Sequence, residues 1–421
     1  MQGTKMKRKA RILWFSNSPV NIGEISGTGN WVATLLEYLR LSDEYEMHVA
    51  FHDAKVADLV QSEQLGIALY RIPLNRRDSK IGKLLDGWTN RDPYKDAETL
   101  YYQIVEIVKP NIIQIFGIES PFVRILDRYY KNSVVHIQGL LAPYQFKYYP
   151  RFSNIELLKA SPLKSWLRGH PKIKRSKETE KHLELEARIY QKIRYVLGRT
   201  DWDRRCVKAL APQAEYFYCQ EIMRKKFYEV KWTPPENKQV VLYTTITDSR
   251  VKNVDMIFET ANILDKYNPR FQFQWRVAGV NHDDITPKIM RARGFTSPNI
   301  RLLGRLDSKR LISEMLSANM FVYPSAIENS SNAIQEAMLC GMPILATYGG
   351  GTDSIVSNKK TGILVPEGDP YVFAGAILEM MDSYKDSIAL GAAAREKALV
   401  ANSPQAVVAQ LNSVYQKICD K

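Results

Sequence analysis

Two carboxylates, Glu328 and Glu336, bracket a Ser-Asn run in the stretch "SAIENSSNAIQEAMLCGMPILAT" (325–347). Ser330, Ser331 and Asn332 are side chains that accept hydrogen bonds from the free N–H groups of a first turn, which predicts a helix starting there. Gly341 suits the residue that ends it, and Pro343 opens the next strand. Glu328 then sits in the loop before the helix and Glu336 about one turn inside it. The two straddle a helix N-terminus instead of sharing a face. Free N–H groups at that end suit a phosphate, and carboxylates accept strong hydrogen bonds from sugar hydroxyls. Complementing the helix dipole is the plainer role for Glu336.

Other groups of this kind stand where strands are predicted to end, the place where open α/β sheets bind ligands. Arg250 and Lys252, in "TTITDSRVKNVDMIF", fall between a strand and a helix, either within reach of a diphosphate or as solvated cations. His136 and Gln138 in "HIQG" close another strand. Glu119 in "FGIESP" closes its neighbour, or caps the helix that follows. Gly27 and Gly29, and again Gly349 to Gly351, precede helix starts, where glycine lets backbone N–H groups approach an anion. The first pair is no dinucleotide fingerprint, because Val32 takes the place of the third glycine. A tight turn without a ligand explains either glycine run.

The elements that must hold these groups are short apolar runs alternating with helical patterns, the mark of parallel βα units and an α/β fold. Strands are predicted at 11–15, 45–52, 67–73, 111–117, 133–139 and 195–199. A second set falls at 240–245, 273–279, 300–304, 320–325, 343–347 and 362–366. At 421 residues the chain exceeds one ordinary core, so two domains are expected. The boundary falls in 209–239, which contains the Pro234-Pro235 break, and is set at 215/216.

The chain is 45% hydrophobic and 25% charged, with no apolar run long enough to span a bilayer. The basic N-terminus runs straight into a strand without a signal-type core. Cys206, Cys219, Cys340 and Cys419 are scattered, which suits reduced thiols in a cytoplasmic protein and argues against zinc. A net charge of +14 suits nucleic acid, an anionic membrane surface or phosphorylated substrates. In the segment 147–181, Lys147, Arg151, Lys164 and Arg168 are interleaved with aromatic and aliphatic residues, Trp166 among them. That mixture suits either a solvated helical insertion or an arm that touches phosphate-bearing lipid.

In company, these motifs resemble the GT-B glycosyltransferases of family 4, retaining enzymes that use nucleotide-sugar donors. The resemblance rests on Glu328, seven residues, Glu336, then Ala337, Met338, Gly341 and Pro343. The form "ENSSN" (328–332) is similar to that of members building capsules, O-antigens and exopolysaccharides. It is strong over 240–400 and looser in the first half, through the Gly27/Gly29 loop, His136 and "LGRTDWD" (197–203).

The resemblance implies two Rossmann-like domains with parallel sheets facing a cleft: 1–215 for the acceptor, 216–402 for the donor, and a helix at 403–421 returning to the first. It assigns Glu328 to the donor sugar, Glu336 to the ribose, the backbone at Asn332 and Ala333 to the diphosphate, and Lys252 to its neutralisation. Arg305 falls in the segment that contacts the base. His136 would approach the transferred sugar, with Glu119 in the same crevice and Gly27 and Gly29 near the donor phosphate or acceptor. Thr247 stands where the family often carries an arginine, so either Arg250 substitutes or the phosphate site is weaker. Expected partners are a UDP- or GDP-sugar and a glycan or lipid-diphosphate-linked acceptor, with no metal, no other cofactor and no nucleic acid. A sugar-nucleotide hydrolase or phosphorylase of the same fold, and a basic nucleic-acid-binding protein, are the competing readings.

Overall fold

The computed structural model describes residues 9–19, 31–74, 94, 97–167, 173–174, 177–236 and 238–420. The first sheet contains β1 (Ala10–Ser16), β2 (Tyr45–Asp53), β3 (Val60–Gln64), β4 (Ile67–Pro73), β5 (Ile112–Phe116), β6 (Ser133–His136), β7 (Tyr195–Gly198) and β8 (Glu215–Tyr218). Their spatial order is 3-4-2-1-5-6-7-8, parallel throughout except for β3, which runs antiparallel to β4. The second sheet is parallel, with β9 (Val240–Thr245), β10 (Phe273–Ala278), β11 (Ile300–Gly304), β12 (Met320–Tyr323), β13 (Ile344–Thr347) and β14 (Ile363–Val365) in the order 11-10-9-12-13-14.

The strands read from apolar runs are all present. β3 and β8 were not foreseen. The sequence of β3, "VQSEQ", is almost wholly exposed and shows no apolar alternation. β8 pairs with β7 at the sheet edge and carries the first sheet past residue 215 to Tyr218.

Central strands are buried on both faces, as covered parallel sheets require. In β5, Ile112, Ile113, Ile115 and Phe116 are fully buried. The polar exception there, Gln114, is satisfied by a network. Trp14 Nε1 donates to Tyr415 Oη at 2.8 Å, Tyr415 Oη donates to Gln114 Oε1, and Gln114 Nε2 lies 3.3 Å from His136 Nδ1. Tyr415 belongs to the C-terminal helix Pro404–Cys419, whose Val407, Leu411, Val414 and Ile418 pack with Ile12, Trp14 and Phe116 of the first domain. The chain therefore ends on the domain in which it began.

The segment after Lys147 also crosses between domains. Tyr149, Phe152 and Leu157 are buried in the core of the second domain, and Tyr149 N donates to Arg250 O at 2.6 Å. Among the described residues no helix is long and apolar enough to cross a membrane.

Candidate active site between the domains

In each sheet the chain reverses its winding beside the first strand, between β1 and β5 and between β9 and β12. Such switch points open a crevice at the carboxyl ends of the strands. A cleft of about 360 Å³ lies there between the domains. Trp31, Gln138 and Arg199, with Glu221 from the segment between β8 and β9, form one wall. Lys252, Tyr323, Glu328 and the run Ser330 to Ala333 form the other.

The second wall is built from loops at the switch point. Lys252 follows β9 and Glu328 follows β12, so parallel pairing of those two strands brings both groups together. Lys252 Nζ is ion-paired with Glu328 Oε1 and donates to Tyr323 Oη at 3.1 Å, while Tyr323 Oη donates to Glu328 at 2.9 Å. Burial opposes the ammonium, but Glu328 and Tyr323 outweigh it and hold the Lys252 pKa above its ordinary range. Burial, then Glu328, pushes the Tyr323 hydroxyl up to about 12. Beside this cluster the helix Asn332–Cys340 begins. Ser331 caps it, accepting from Ile334 N at 3.4 Å, and Gly341 ends it at φ +87°. Free N–H groups of its first turn, at Asn332 and Ala333, belong to residues lining the cleft.

The opposite wall holds a second buried ion pair, Arg199 with Glu221. Arg199 Nη2 also donates to the carbonyls of Ile137 at 2.9 Å and Gln138 at 3.0 Å, fixing the turn after β6. Burial raises the Glu221 pKa, with Arg199 opposing. Arg199 Nε and Asn332 Oδ1 are buried without a hydrogen-bond partner among the described residues. Orphaned polar atoms are costly, and Arg199 Nε and Asn332 Oδ1 belong to residues that line the cleft, where a polar ligand would satisfy them.

Residues 238–383 match the family model described as glycosyl transferases group 1. This segment, which carries Lys252, Glu328 and the helix Asn332–Cys340, is similar to that family. D-inositol 3-phosphate glycosyltransferase of Jonesia denitrificans is 31% identical over 26% of this chain and 26% of its own. The amylovoran biosynthesis glycosyltransferase AmsK of Erwinia amylovora is 22% identical over 40% of this chain and 42% of its own. These matches span less than half of either curated relative. The fold likeness is wider. Sucrose-phosphate synthase of Thermosynechococcus elongatus superposes with a TM-score of 0.68 at 15% identity, covering 97% of this chain and 99% of that one. Anabaena HepE in complex with UDP-glucose gives 0.61 at 14% identity, covering 97% and 99%. The two-domain α/β architecture is that of the GT-B class.

Around the cleft the expected site residues divide. Glu328, Lys252, Asn332 and Ala333 line the cleft. Glu336 is turned to the segment joining the domains, where Arg224 Nε and Nη2 donate to its Oε1 at 2.8 and 2.7 Å. Arg250, expected at the diphosphate, lies instead in the contact with the arm: its Nη1 donates to Thr179 Oγ1 at 2.9 Å and its guanidinium lies over the Tyr148 ring. Arg305 is exposed at the end of β11 and is not among the lining residues.

His136, expected at the transferred sugar, is fully buried behind Trp31, ring centroids 4.9 Å apart, within the Gln114 network. Burial, then Arg199, drives its pKa well below the ordinary value, so the ring is neutral. Glu119 folds back over Gly117, near Asn17, with Oε2 buried and unpartnered among the described residues.

Of the residues expected at a membrane, Lys147 pairs with Glu367 and Arg151 with Asp255 and Glu259, all in the second domain. Their charges serve the contact between domains. Lys164 and Trp166 lie on the exposed helix Leu163–Leu167. Gly27, Gly29 and Arg168 fall outside the described residues.

Arg199, Glu221 and Arg224 were missed. Arg199 ends a predicted strand, and that place was the available signal. The other two sit in a segment read only as a linker.

Proposed function

We propose that this protein is a retaining glycosyltransferase that moves a sugar from a nucleoside-diphosphate sugar to a glycan or lipid-linked acceptor. The observation that carries the reading is the Lys252–Glu328–Tyr323 cluster beside the N-terminus of the helix Asn332–Cys340, inside an interdomain cleft. The group 1 match over residues 238–383 and the glycosyltransferase activities for which the relatives are named support it. Glu328 accepts from hydroxyls of the donor sugar, while the Lys252 ammonium and the first-turn N–H groups face the diphosphate. Negative charge grows there as the bond from the anomeric carbon to phosphate oxygen breaks, and fixed donors already in place lower that barrier. The acceptor oxygen attacks from the same face and gives its proton to the departing phosphate oxygen, which retains configuration.

No metal is required in this reading, and chelation with EDTA leaves turnover intact. The donor carries UDP or GDP. Relatives named for amylovoran and colanic acid biosynthesis support a role in polysaccharide synthesis, which this reading places at the cytoplasmic face of a membrane. The test is a screen of nucleotide sugars by thermal shift, followed by turnover of the stabilising donor, since a ligand of the folded state raises the Tm. Transfer with retention, lost in Glu328→Ala without loss of fold, supports the reading. Normal turnover in that variant overturns the role of Glu328, and a trapped sugar–enzyme adduct overturns the same-face step.

A further inference from the structure

Asn329 follows Glu328 and is 1% exposed, although it lies at the rim of a cleft. The opposite domain buries it. Its Oδ1 accepts from Thr200 Oγ1 at 3.1 Å, and its Nδ2 donates to Gln138 O at 3.4 Å. Both partners are themselves held. The Thr200 hydroxyl also accepts from Asp203 N at 3.1 Å, capping the helix Asp201–Leu210, and Gln138 O accepts from Arg199. A further bridge lies alongside, from Asp201 N to Ser354 Oγ at 3.0 Å.

Behind Asn329 the chain has no room to retreat. Gly351 N donates to Glu328 O at 2.7 Å. A Cβ on Gly350 would lie 2.1 Å from Glu328 O, and one on Gly351 would lie 2.2 Å from Asn329 O. The 328–329 segment is thus held between its own glycine loop and the first domain. Any motion that pulls Asn329 away from Thr200 moves the backbone that carries Glu328.

The contact also has a chemical requirement. Thr200 offers a hydroxyl hydrogen and Gln138 a carbonyl oxygen, so the side chain between them must both accept and donate. An amide does this, whereas a carboxylate of the same shape sets two acceptors against each other.

We propose that Asn329 is a positioning residue that couples closure of the two domains to the placement of Glu328. The proposal rests on the donor role given to Glu328, but closure itself is measurable without any donor.

The experiment places dyes at Lys131 and Arg270, both exposed and one in each domain, and reads closure by energy transfer with and without UDP. Asn329→Asp and Asn329→Ala are expected to shift the closed-to-open ratio about fivefold to tenfold toward open, the worth of one or two hydrogen bonds. Thr200→Val combined with Asn329→Ala should be no more open than Asn329→Ala alone, because the latter has already removed the bond to Thr200. Thr200→Ser, which keeps hydroxyl and cap, should close like the parent. With a competent donor, the Asn329 variants should lose kcat by a similar factor while UDP affinity changes less than about twofold.

Unchanged energy transfer in both Asn329 variants, or multiplicative effects of Thr200→Val and Asn329→Ala, overturns the proposal. Normal closure with lost UDP affinity also overturns it, because Asn329 then contacts the ligand. If closure responds as expected but no donor is turned over, the coupling stands and the assignment of activity fails.

Discussion

Lys252 and Glu328 form an ion pair that the Tyr323 hydroxyl closes from the side, 3.1 Å from the ammonium and 2.9 Å from the carboxylate. The pair is held by β9 and β12, from which the chain winds away in opposite directions at the switch point of the sheet. An ammonium held this way needs no reorientation when charge develops beside it.

Replacing Lys252 with Met is therefore expected to lower kcat by about 10²- to 10³-fold, the scale of losing one preorganised electrostatic group. Tyr323→Phe should cost less, on the order of tenfold, because the ion pair survives it. Steady-state turnover of the donor found by thermal shift measures both. The folded-state pKa of Lys252 is raised, so its charge is complete at neutral pH and is lost only as pH rises beyond the ordinary lysine range. An alkaline decline in rate at pH 8 to 9 that vanishes in Lys252→Met would contradict this.

The parts of the fold legible in the sequence were those that pattern alone specifies. Strands such as β4 and β9 were found because apolar runs bounded by turns have few other homes, and the helix after Ser331 because its cap and terminal glycine are local signals. Pairing across domains leaves no such local mark. Arg250 and Lys252 stand two residues apart and look alike in sequence, yet one meets Thr179 and the other Glu328. His136 closes a strand as a ligand-binding residue would, but Trp31 covers it. The arm kept its basic and aromatic character while turning Tyr149 and Phe152 inward, a face that only the second domain defines.

Glu119 gives a pH signature. Burial pushes its pKa from 4.5 up to about 7, against partial stabilisation by its own backbone N–H. The folded state therefore binds a proton that the unfolded state releases, and stability falls as pH rises between those values. Glu119→Gln mimics the protonated form. It should stabilise the protein at pH 8 by at most roughly 3 kcal/mol and make little difference at pH 4.5. Urea denaturation at several pH values checks this, and a pH-independent difference would refute the assignment.

Arg151 reaches from the arm to two carboxylates, Asp255 and Glu259, in the second domain. Burial pushes Asp255 up to about 6, with Arg151 opposing. Truncating the arginine leaves both acids buried and unpaired. Arg151→Ala should destabilise by about 3–5 kcal/mol at pH 8, as removal of one member of a buried pair does. Its cost should shrink below pH 6, where Asp255 takes up a proton, and Asp255→Asn should recover part of it at pH 8. Thermal and urea unfolding of the single and double variants measure this.

The outer end of the arm has a different character. Leu163, Trp166 and Leu167 are 74%, 45% and 54% exposed, with Lys164 between them on one short helix. Apolar side chains beside a lysine suit the boundary of an anionic bilayer, where burying the former and attracting the latter add up. Lys147 and Arg151 are engaged with the second domain, so among the described residues the expected membrane contact is placed on this helix. Trp166→Ala combined with Lys164→Glu should weaken sedimentation with phosphatidylglycerol vesicles at least fivefold, since each basic residue near such a surface is worth about 1 kcal/mol. Lys147→Ala should leave that binding unchanged. Equal binding to neutral and anionic vesicles, or insensitivity to the Trp166 and Lys164 changes, would remove the arm from any membrane role.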